Sequence, residues 1–264
     1  MKLLLCSSDY FRIEYEINPW MKISDNADAA QVLKQYQVLK DTILSTGIEV
    51  EEILPDKLYP DMVYTANYGF IQGKKFIQAN FKYEQRRGEA GLASEYFREK
   101  GFEIHTLPQD IYFEGEGDLL KNGNRYFLGH GKRTMQESAP YLEKILQSEI
   151  IPLKLVDPYY YHLDTCFAPL TADTVIVNPE SFTVEGMKLI RSSFKNIIHA
   201  SKEDNKVLAC NLVKYKNHII TGKGITEQLK KYLQDFGYQV HEVPMSQYIK
   251  GGGSVKCCSL IVEE

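Results

Sequence analysis

The chain has 264 residues, of which 44% are hydrophobic and 25% charged, and its formal net charge is −4 at neutral pH. This composition is ordinary for a folded domain. Because acidic and basic residues are interspersed, the sequence offers no basic surface for nucleic acid or for an anionic membrane. Residues 1–6 become polar too soon for a signal peptide or membrane anchor and predict a first core strand.

The cysteines give no sign of a disulfide scaffold. Their number is odd, two are adjacent, and no spacing matches a zinc site. A reducing compartment, the cytoplasm, is therefore the expected location. The five residues are Cys6, Cys166, Cys210, Cys257 and Cys258.

One short pattern recurs along the chain: an amphipathic helical stretch, a glycine, an alternating strand and a proline. The full pattern occupies residues 40–55, 94–108 and 230–244, and looser copies without the glycine occupy residues 141–158 and 187–204. A spacing of roughly 40–55 residues is typical of a repeat architecture. Since no linker-like segment divides the sequence, we expect residues 1–264 to form one closed domain.

The first unit has the clearest elements. Residues 29–44 carry apolar side chains at helical spacing, and Gly47 predicts the end of that helix because glycine tolerates the left-handed C-terminal position. Residues 48–54 predict a strand. Residues 69–72 and 76–78, joined by a Gly-Lys-Lys turn, predict a hairpin.

The second unit repeats this order. Residues 119–120 and 125–129 flank the turn signal Asn122-Gly123-Asn124 and predict another hairpin. Each unit is therefore expected to contain two or three strands and a helix. A polar motif lies just before each hairpin, where a rigid scaffold usually presents its chemistry. The final strand is predicted at residues 258–262.

Four of the five units are followed by a motif that contains polar or reactive side chains. If the units surround an axis, equivalent positions converge on it, and these side chains share one central site. The motifs contain Asn67 after the first unit, Glu114, Glu116 and Asp118 after the second, His162 and Asp164 after the third, and Cys257 after the fifth.

Cys257 follows three glycines and a serine, a setting that lets the backbone approach a ligand closely. A tight turn before a buried strand explains the same residues equally well. In an extended segment Cys257 and Cys258 would face opposite ways, so only one would enter a site, and the glycine-rich approach favours Cys257. By the same rule His162 and Asp164 would share a face.

The carboxylates Glu114, Glu116 and Asp118 alternate with glycines. They fit either a solvated acidic turn or a cluster that faces a cation. Arg86 and Arg133 are each able to hold a carboxylate through two parallel hydrogen bonds. Ordinary surface ion pairs account for both arginines equally well.

Together these segments resemble the guanidino-group-modifying enzymes, a group that includes arginine deiminases, dimethylarginine dimethylaminohydrolases, amidinotransferases and dihydrolases. The resemblance implies the α/β class and a single-domain, pseudo-symmetric five-bladed α/β propeller, the pentein fold. It extends over most of the chain, in residues 60–67, 113–118, 131–134, 162–165 and 251–260.

The resemblance also implies residue roles. Cys257, in a Cys-x-Ser-Leu pattern, is the nucleophile, His162 the catalytic histidine and Glu114 its carboxylate partner. Many members have Glu-Gly-Gly-Asp where this chain has Glu-Gly-Glu-Gly-Asp, and the preceding Phe favours Glu114 over Glu116. No metal or cofactor is expected, because a covalent intermediate divides the difficult step. The implied substrate-binding residues are Asn67, Asp118, Asp164, Arg86 and Arg133.

Asn67 favours one activity within this group. Deiminases and dimethylarginine dimethylaminohydrolases usually have an aspartate here, whereas the Thr-Ala-Asn form resembles the dihydrolases. The expected reaction is therefore hydrolysis of L-arginine through a thiouronium to ornithine, ammonia and carbon dioxide. A single-step deiminase or dimethylarginine dimethylaminohydrolase, an amidinotransferase and a non-catalytic arginine-binding protein stay open. The expected partner is a small molecule, L-arginine or a methylated arginine, and homo-oligomerisation is left open.

Overall fold

The computed structural model describes residues 1–263, and these residues form five three-stranded sheets. In every sheet the middle strand pairs antiparallel with the inner strand and parallel with the outer strand. This is the five-bladed, pseudo-symmetric α/β propeller that the repeat and the resemblance predict. The strands in chain order are β1 (Lys2–Cys6), β2 (Glu49–Ile53), β3 (Gly69–Gln72), β4 (Lys75–Gln78), β5 (Glu103–His105), β6 (Leu119–Asn122), β7 (Arg125–His130), β8 (Ile150–Lys154), β9 (Phe167–Pro169), β10 (Thr174–Val177), β11 (Asn196–His199), β12 (Val213–Tyr215), β13 (His218–Gly222), β14 (Gln239–Val243) and β15 (Leu260–Glu263).

A helix precedes the outer strand of each blade. None of the helices found within residues 1–263 is both long enough and apolar enough to cross a membrane. The helices are α1 (Ala29–Ser45), α2 (Glu84–Glu99), α3 (Ala139–Leu146), α4 (Val184–Ser193), α5 (Lys202–Lys206), α6 (Glu227–Asp235) and α7 (Ser246–Ile249).

The two ends of the chain meet in one blade. Strand β1 lies between β15 and β2, with Leu4 opposite Leu260 and Leu3 opposite Val50. The first strand of the sequence therefore completes the blade that the last strand begins. This pairing closes the ring, so the inner strands β3, β6, β9, β12 and β15 all come from successive blades.

All five sequence repeats correspond to the passage from a helix to an outer strand. Gly47, Gly101 and Gly237 follow α1, α2 and α6 with φ between 78° and 86°, which side-chain-bearing residues rarely adopt. The copy after α3 lacks the glycine, and Gln147 takes the left-handed conformation there with φ 54°. Four of the five copies therefore mark a helix that is followed by a left-handed residue.

Each helix buries one apolar face against its blade. Helix α1 buries Val32, Leu39 and Ile43, which pack with Leu3 and Leu5 of the first strand. Burying one such side chain contributes about 1.5–3 kcal/mol before the cost of chain entropy. The side chain of Asp28 caps the start of α1 by accepting a hydrogen bond from the amide of Gln31 at 2.8 Å.

The last strand begins later than predicted, which corrects one step of the sequence argument. Strand β15 starts at Leu260 rather than at residue 258, and the Cys258 amide donates to the Ser254 carbonyl in a turn. Strict alternation therefore does not apply to Cys257 and Cys258, which lie in the same hydrophobic cluster. The geometry of this turn, and not strand alternation, therefore determines where each of the two thiols lies.

Candidate active site

Polar side chains from four blades meet at one end of the propeller axis. Each precedes the inner strand of its blade by a few residues, so the closed ring brings all of them together. The side chains are almost completely buried, which makes their hydrogen bonds and charges decisive. They belong to Asn67 before β3, Glu114 and Asp118 before β6, His162 and Asp164 before β9, and Cys257 before β15.

Glu114 holds His162. The histidine Nε2 lies 2.7 Å from Glu114 Oε2, and Arg133 Nη1 donates to the same oxygen at 3.0 Å. The amide of Lys82 donates to Oε1 at 3.2 Å. Burial raises the pKa of Glu114, but the Arg133 charge and the bond with His162 outweigh burial and lower this pKa to about 2. Glu114 is therefore an ionised anchor for the imidazole at neutral pH.

The thiol of Cys257 lies against Asp164. Its Sγ donates to Asp164 Oδ2 at 3.3 Å. Burial and then the Asp164 charge raise the pKa of Cys257 well above its usual value. Burial also raises the pKa of Asp164 to about 7, although Lys256 opposes that shift. The resting pair is a protonated thiol beside a carboxyl group that titrates near neutrality.

Asn67 presents its amide nitrogen to the site. Arg86 Nη1 donates to Asn67 Oδ1 at 2.9 Å, and a guanidinium has no acceptor, so the amide oxygen must face Arg86. The Nδ2 atom then lies 3.4 Å from the Glu114 carbonyl. A Cβ atom at Gly117 would lie 2.3 Å from that nitrogen and 3.2 Å from the ring of His162. Gly117 therefore keeps open the space between Asn67 and His162.

Arg86 itself is bound by buried carboxylates. Its guanidinium donates to Glu89 at 2.7 and 3.0 Å and to the Asp61 carbonyl at 3.3 Å. The hydroxyl of Tyr15 donates to Asp61 Oδ2 at 3.0 Å. Burial raises the pKa of Glu89 to about 7 and also raises that of Asp61. Most of its donors serve Glu89, Asp61 and Asn67. That Arg86 binds a substrate carboxylate stays a prediction.

Arg133 has a similar internal setting. Besides Glu114, its guanidinium donates to the Ile17 carbonyl at 3.0 Å. The guanidinium lies 4.6 Å from the ring centre of Tyr83 and 4.4 Å from that of Tyr161, which is cation–π geometry. It thus connects the segment that contains Ile17 to Glu114. That Arg133 binds a substrate carboxylate stays a prediction.

The two glutamates that the sequence left in competition face different partners. Glu114 contacts His162, whereas Glu116 pairs with Lys256 at 2.6 Å and accepts the Ile261 amide at 3.1 Å. Asp118 supports the histidine segment, because its Oδ1 accepts the Leu163 amide at 3.1 Å. Burial raises the pKa of Asp118 to about 6.

Sequence reasoning missed one residue of the site. The fourth unit leads to Asn211, two residues before β12, and its buried side chain contacts Cys257. No glycine or charged neighbour marks the position, so only its place in the repeat could have indicated it. With Asn211 included, all five blades contribute to the axis.

A cavity of about 610 Å³ occupies the opposite end of the axis. Its walls are the inner strands and the hairpin turns that follow them, whereas the site residues precede those strands. Asp164, Glu116 and Lys256 also line it. Asp164 therefore borders this cavity while its Oδ2 atom contacts Cys257 Sγ.

A buried cysteine, histidine and glutamate at the axis of a five-bladed α/β propeller define the guanidino-group-modifying class. A sequence profile described as eukaryotic N,N-dimethylarginine dimethylhydrolase matches residues 11–263. The chain belongs to this dimethylarginine dimethylaminohydrolase family.

Individual relatives are named for different activities. The bifunctional arginine dihydrolase/ornithine cyclodeaminase ArgZ of Synechocystis is 35% identical over the whole chain, which spans 38% of that protein. The dimethylarginine dimethylaminohydrolase of Mycobacterium tuberculosis is 34% identical over 95% of this chain and 82% of that protein. The substrate-bound N-terminal domain of cyanobacterial ArgZ, a cysteine-to-serine variant, superposes with a TM-score of 0.96, 33% identity and coverage of 100% and 98%.

Proposed function

We propose that the chain is a cysteine-dependent hydrolase that converts L-arginine to ornithine, two ammonia molecules and carbon dioxide. The observation that carries this proposal is the orientation of Asn67, whose Nδ2 faces the site because Arg86 holds its oxygen. The similarity to the arginine dihydrolase domain of ArgZ supports the same reading. The whole chain acts as one hydrolase domain, residues 1–264.

In the first round the substrate guanidinium enters beside Asp164 and Cys257. Its positive charge lowers the pKa of the Cys257 thiol, which burial and Asp164 otherwise raise. The thiol proton therefore passes to Asp164, and the thiolate attacks the guanidinium carbon. His162, held by Glu114, protonates the departing ammonia. The product of this step is a thiouronium bonded to Cys257.

Water then completes the first hydrolysis. The imidazole of His162 takes a proton from water, whose oxygen adds to the thiouronium carbon, and the carbon–sulfur bond breaks to release the Cys257 thiolate. The remaining hydroxyl proton passes to the released ammonia, which leaves as ammonium, and the product is citrulline, a neutral ureide. An aspartate at position 67 would repel the ureido oxygen, whereas the Asn67 amide nitrogen donates a hydrogen bond to it.

The second round repeats the chemistry on the ureido carbon. Thiolate attack expels a second ammonia and leaves a thiocarbamate on Cys257. Hydrolysis of the thiocarbamate gives a carbamic acid, which separates into ornithine and carbon dioxide. In total, one arginine and two waters yield one ornithine, two ammonias and one carbon dioxide. The site residues supply each step through acid–base and nucleophilic chemistry.

A second candidate is a dimethylarginine dimethylaminohydrolase, which would release citrulline and a methylated amine. The family profile and the relative from Mycobacterium tuberculosis favour it. Purified protein should therefore be incubated separately with arginine and with asymmetric dimethylarginine. Two ammonias and one ornithine from arginine support the dihydrolase. Turnover of the methylated substrate alone would replace it with the second candidate, and citrulline with one ammonia from arginine would replace it with a deiminase.

The thiol chemistry favours a reducing compartment. All five cysteines are free and buried, and a reducing environment keeps the nucleophile from oxidation. We place the protein in the cytoplasm with a small-molecule substrate, L-arginine. Size-exclusion chromatography with light scattering tests whether it assembles into a homo-oligomer.

A further inference from the structure

The fourth blade contributes one amide side chain to the axis. Asn211 lies two residues before β12, as Asn67 lies two residues before β3, and it is fully buried. The hydrolytic steps above give it no task. A buried primary amide has to satisfy both ends with partners, and the partners of Asn211 indicate what it does.

The oxygen end holds the backbone of the nucleophile turn. Asn211 Oδ1 accepts the amides of Ser254 and Cys257, each at 3.0 Å. This turn follows Gly251, Gly252 and Gly253, and such a segment has many accessible conformations. Two hydrogen bonds to one rigid acceptor select the conformation that places the sulfur in the site.

The nitrogen end meets the sulfur itself. Backbone amides only donate, so Oδ1 must face them and Nδ2 must face the other way. Nδ2 lies 3.1 Å from Cys257 Sγ and 3.3 Å from the Asp164 carbonyl. A donor at this distance favours thiolate over thiol, in opposition to burial and to the charge of Asp164.

We propose that Asn211 is the positioning residue of the nucleophile, holding the turn of Cys257 through its oxygen and stabilising the thiolate through its nitrogen. This proposal rests on the proposed role of Cys257. It assigns the two ends of one side chain separable effects. The oxygen determines where the sulfur lies, and the nitrogen determines how readily the sulfur ionises.

Two substitutions test these effects. Asn211→Asp keeps an acceptor for the two backbone amides but removes the donor at sulfur and adds negative charge beside it. Asn211→Ala removes both ends. The matched controls are Asn205→Asp and Asn205→Ala, because Asn205 is also buried and its side-chain nitrogen donates to the Ala200 carbonyl at 3.4 Å, away from Cys257. Circular dichroism verifies folding of all four variants.

The readout is the rate of Cys257 alkylation by iodoacetamide between pH 6 and 10, with the modified peptide identified by mass spectrometry. Both Asn211 variants should be alkylated at least about tenfold more slowly at pH 8, since a hydrogen bond to a charged group is lost. The pH midpoints of their alkylation curves should rise. In arginine turnover, kcat should fall more than KM changes. The Asn205 variants should behave as the wild type.

Rates for both Asn211 variants within twofold of the wild-type rate would overturn the proposal while leaving the role of Cys257 intact. Wild-type protein that is never modified at Cys257 would overturn the nucleophile assignment and this proposal together. Should the Asn211 variants fail to fold, the wild type provides the test by nuclear magnetic resonance. The side-chain amide signals of Asn211 should shift with the Cys257 titration, and signals that stay constant through it contradict the proposal.

Discussion

Arg86 donates to Asn67 Oδ1 at 2.9 Å, and this contact determines which end of the amide faces the site. Glu89 and Asp61 in turn hold Arg86 in place. A buried ionic cluster therefore fixes the orientation of the Asn67 amide. The same side chain without Arg86 could present either end. In the proposed reaction, the distinction between one and two hydrolytic rounds depends on this orientation.

The first prediction concerns Asn67→Asp. A carboxylate still binds the cationic guanidinium, but it repels the neutral ureido oxygen of citrulline. The product of arginine turnover should shift from ornithine towards citrulline, by at least about tenfold in their ratio for a loss of about 1.4 kcal/mol in retention. Chromatographic quantification of both amino acids measures the ratio. An unchanged ornithine yield would show that Asn67 does not control the second round.

The second prediction compares the adjacent cysteines. Cys257→Ser should reduce turnover by at least about a thousandfold, because the hydroxyl is a far weaker nucleophile. Cys258→Ser should retain most activity and lose roughly 1–3 kcal/mol of stability, since it places a hydroxyl in an apolar cluster. Steady-state kinetics and urea denaturation measure the two effects. Equal losses of turnover in two folded variants would make the assignment wrong.

The third prediction uses Gly117. A methyl group there would lie 2.3 Å from Asn67 Nδ2, so Gly117→Ala should displace the amide or the His162 ring and reduce kcat/KM by at least about a hundredfold. The matched control is Gly91→Ala, where the added carbon meets nothing within 4 Å inside α2. That control should keep full activity and gain up to about 1 kcal/mol of stability. Full activity of Gly117→Ala would contradict the placement of the substrate.

The fourth prediction concerns pH. Asp164 must be ionised to accept the thiol proton, and its pKa is raised to about 7, so kcat/KM should fall as the pH drops through about 7. Glu116 contributes to that raised pKa. Glu116→Gln should therefore move the acid limb of the kcat/KM against pH profile to lower pH by roughly half a unit. Glu227→Gln, an exposed change in α6, is the control and should leave it in place. A limb that stays in place or moves upward in Glu116→Gln would refute the assignment to Asp164.

Much of the architecture could be predicted from the sequence because each repeat contains local sequence signals. The helix at residues 29–44 was found as Ala29–Ser45, and the hairpin at residues 69–78 was found as β3 and β4. Gly47 marked the helix end because its φ of 83° suits glycine. Such features depend on neighbours in the chain, and a sequence displays those neighbours directly.

The site was less predictable where contacts join distant residues. The sequence could not show that Arg86 orients Asn67, since nineteen positions separate them and either could have faced solvent. The choice between Glu114 and Glu116 depended on a turn that directs one carboxylate to His162 and the other to Lys256. Asn211 lacked any local signal, and its role appears only through its contacts with Cys257 and Asp164.

In the proposed reaction, one site performs both hydrolyses without releasing citrulline. A single-turnover reaction with arginine labelled at the guanidino carbon, run with excess unlabelled citrulline in solution, tests it directly. We expect the label to appear in carbon dioxide at the rate of ornithine formation and never to accumulate in free citrulline. Label that collects in citrulline while carbon dioxide stays unlabelled would show that the second hydrolysis does not take place in this site.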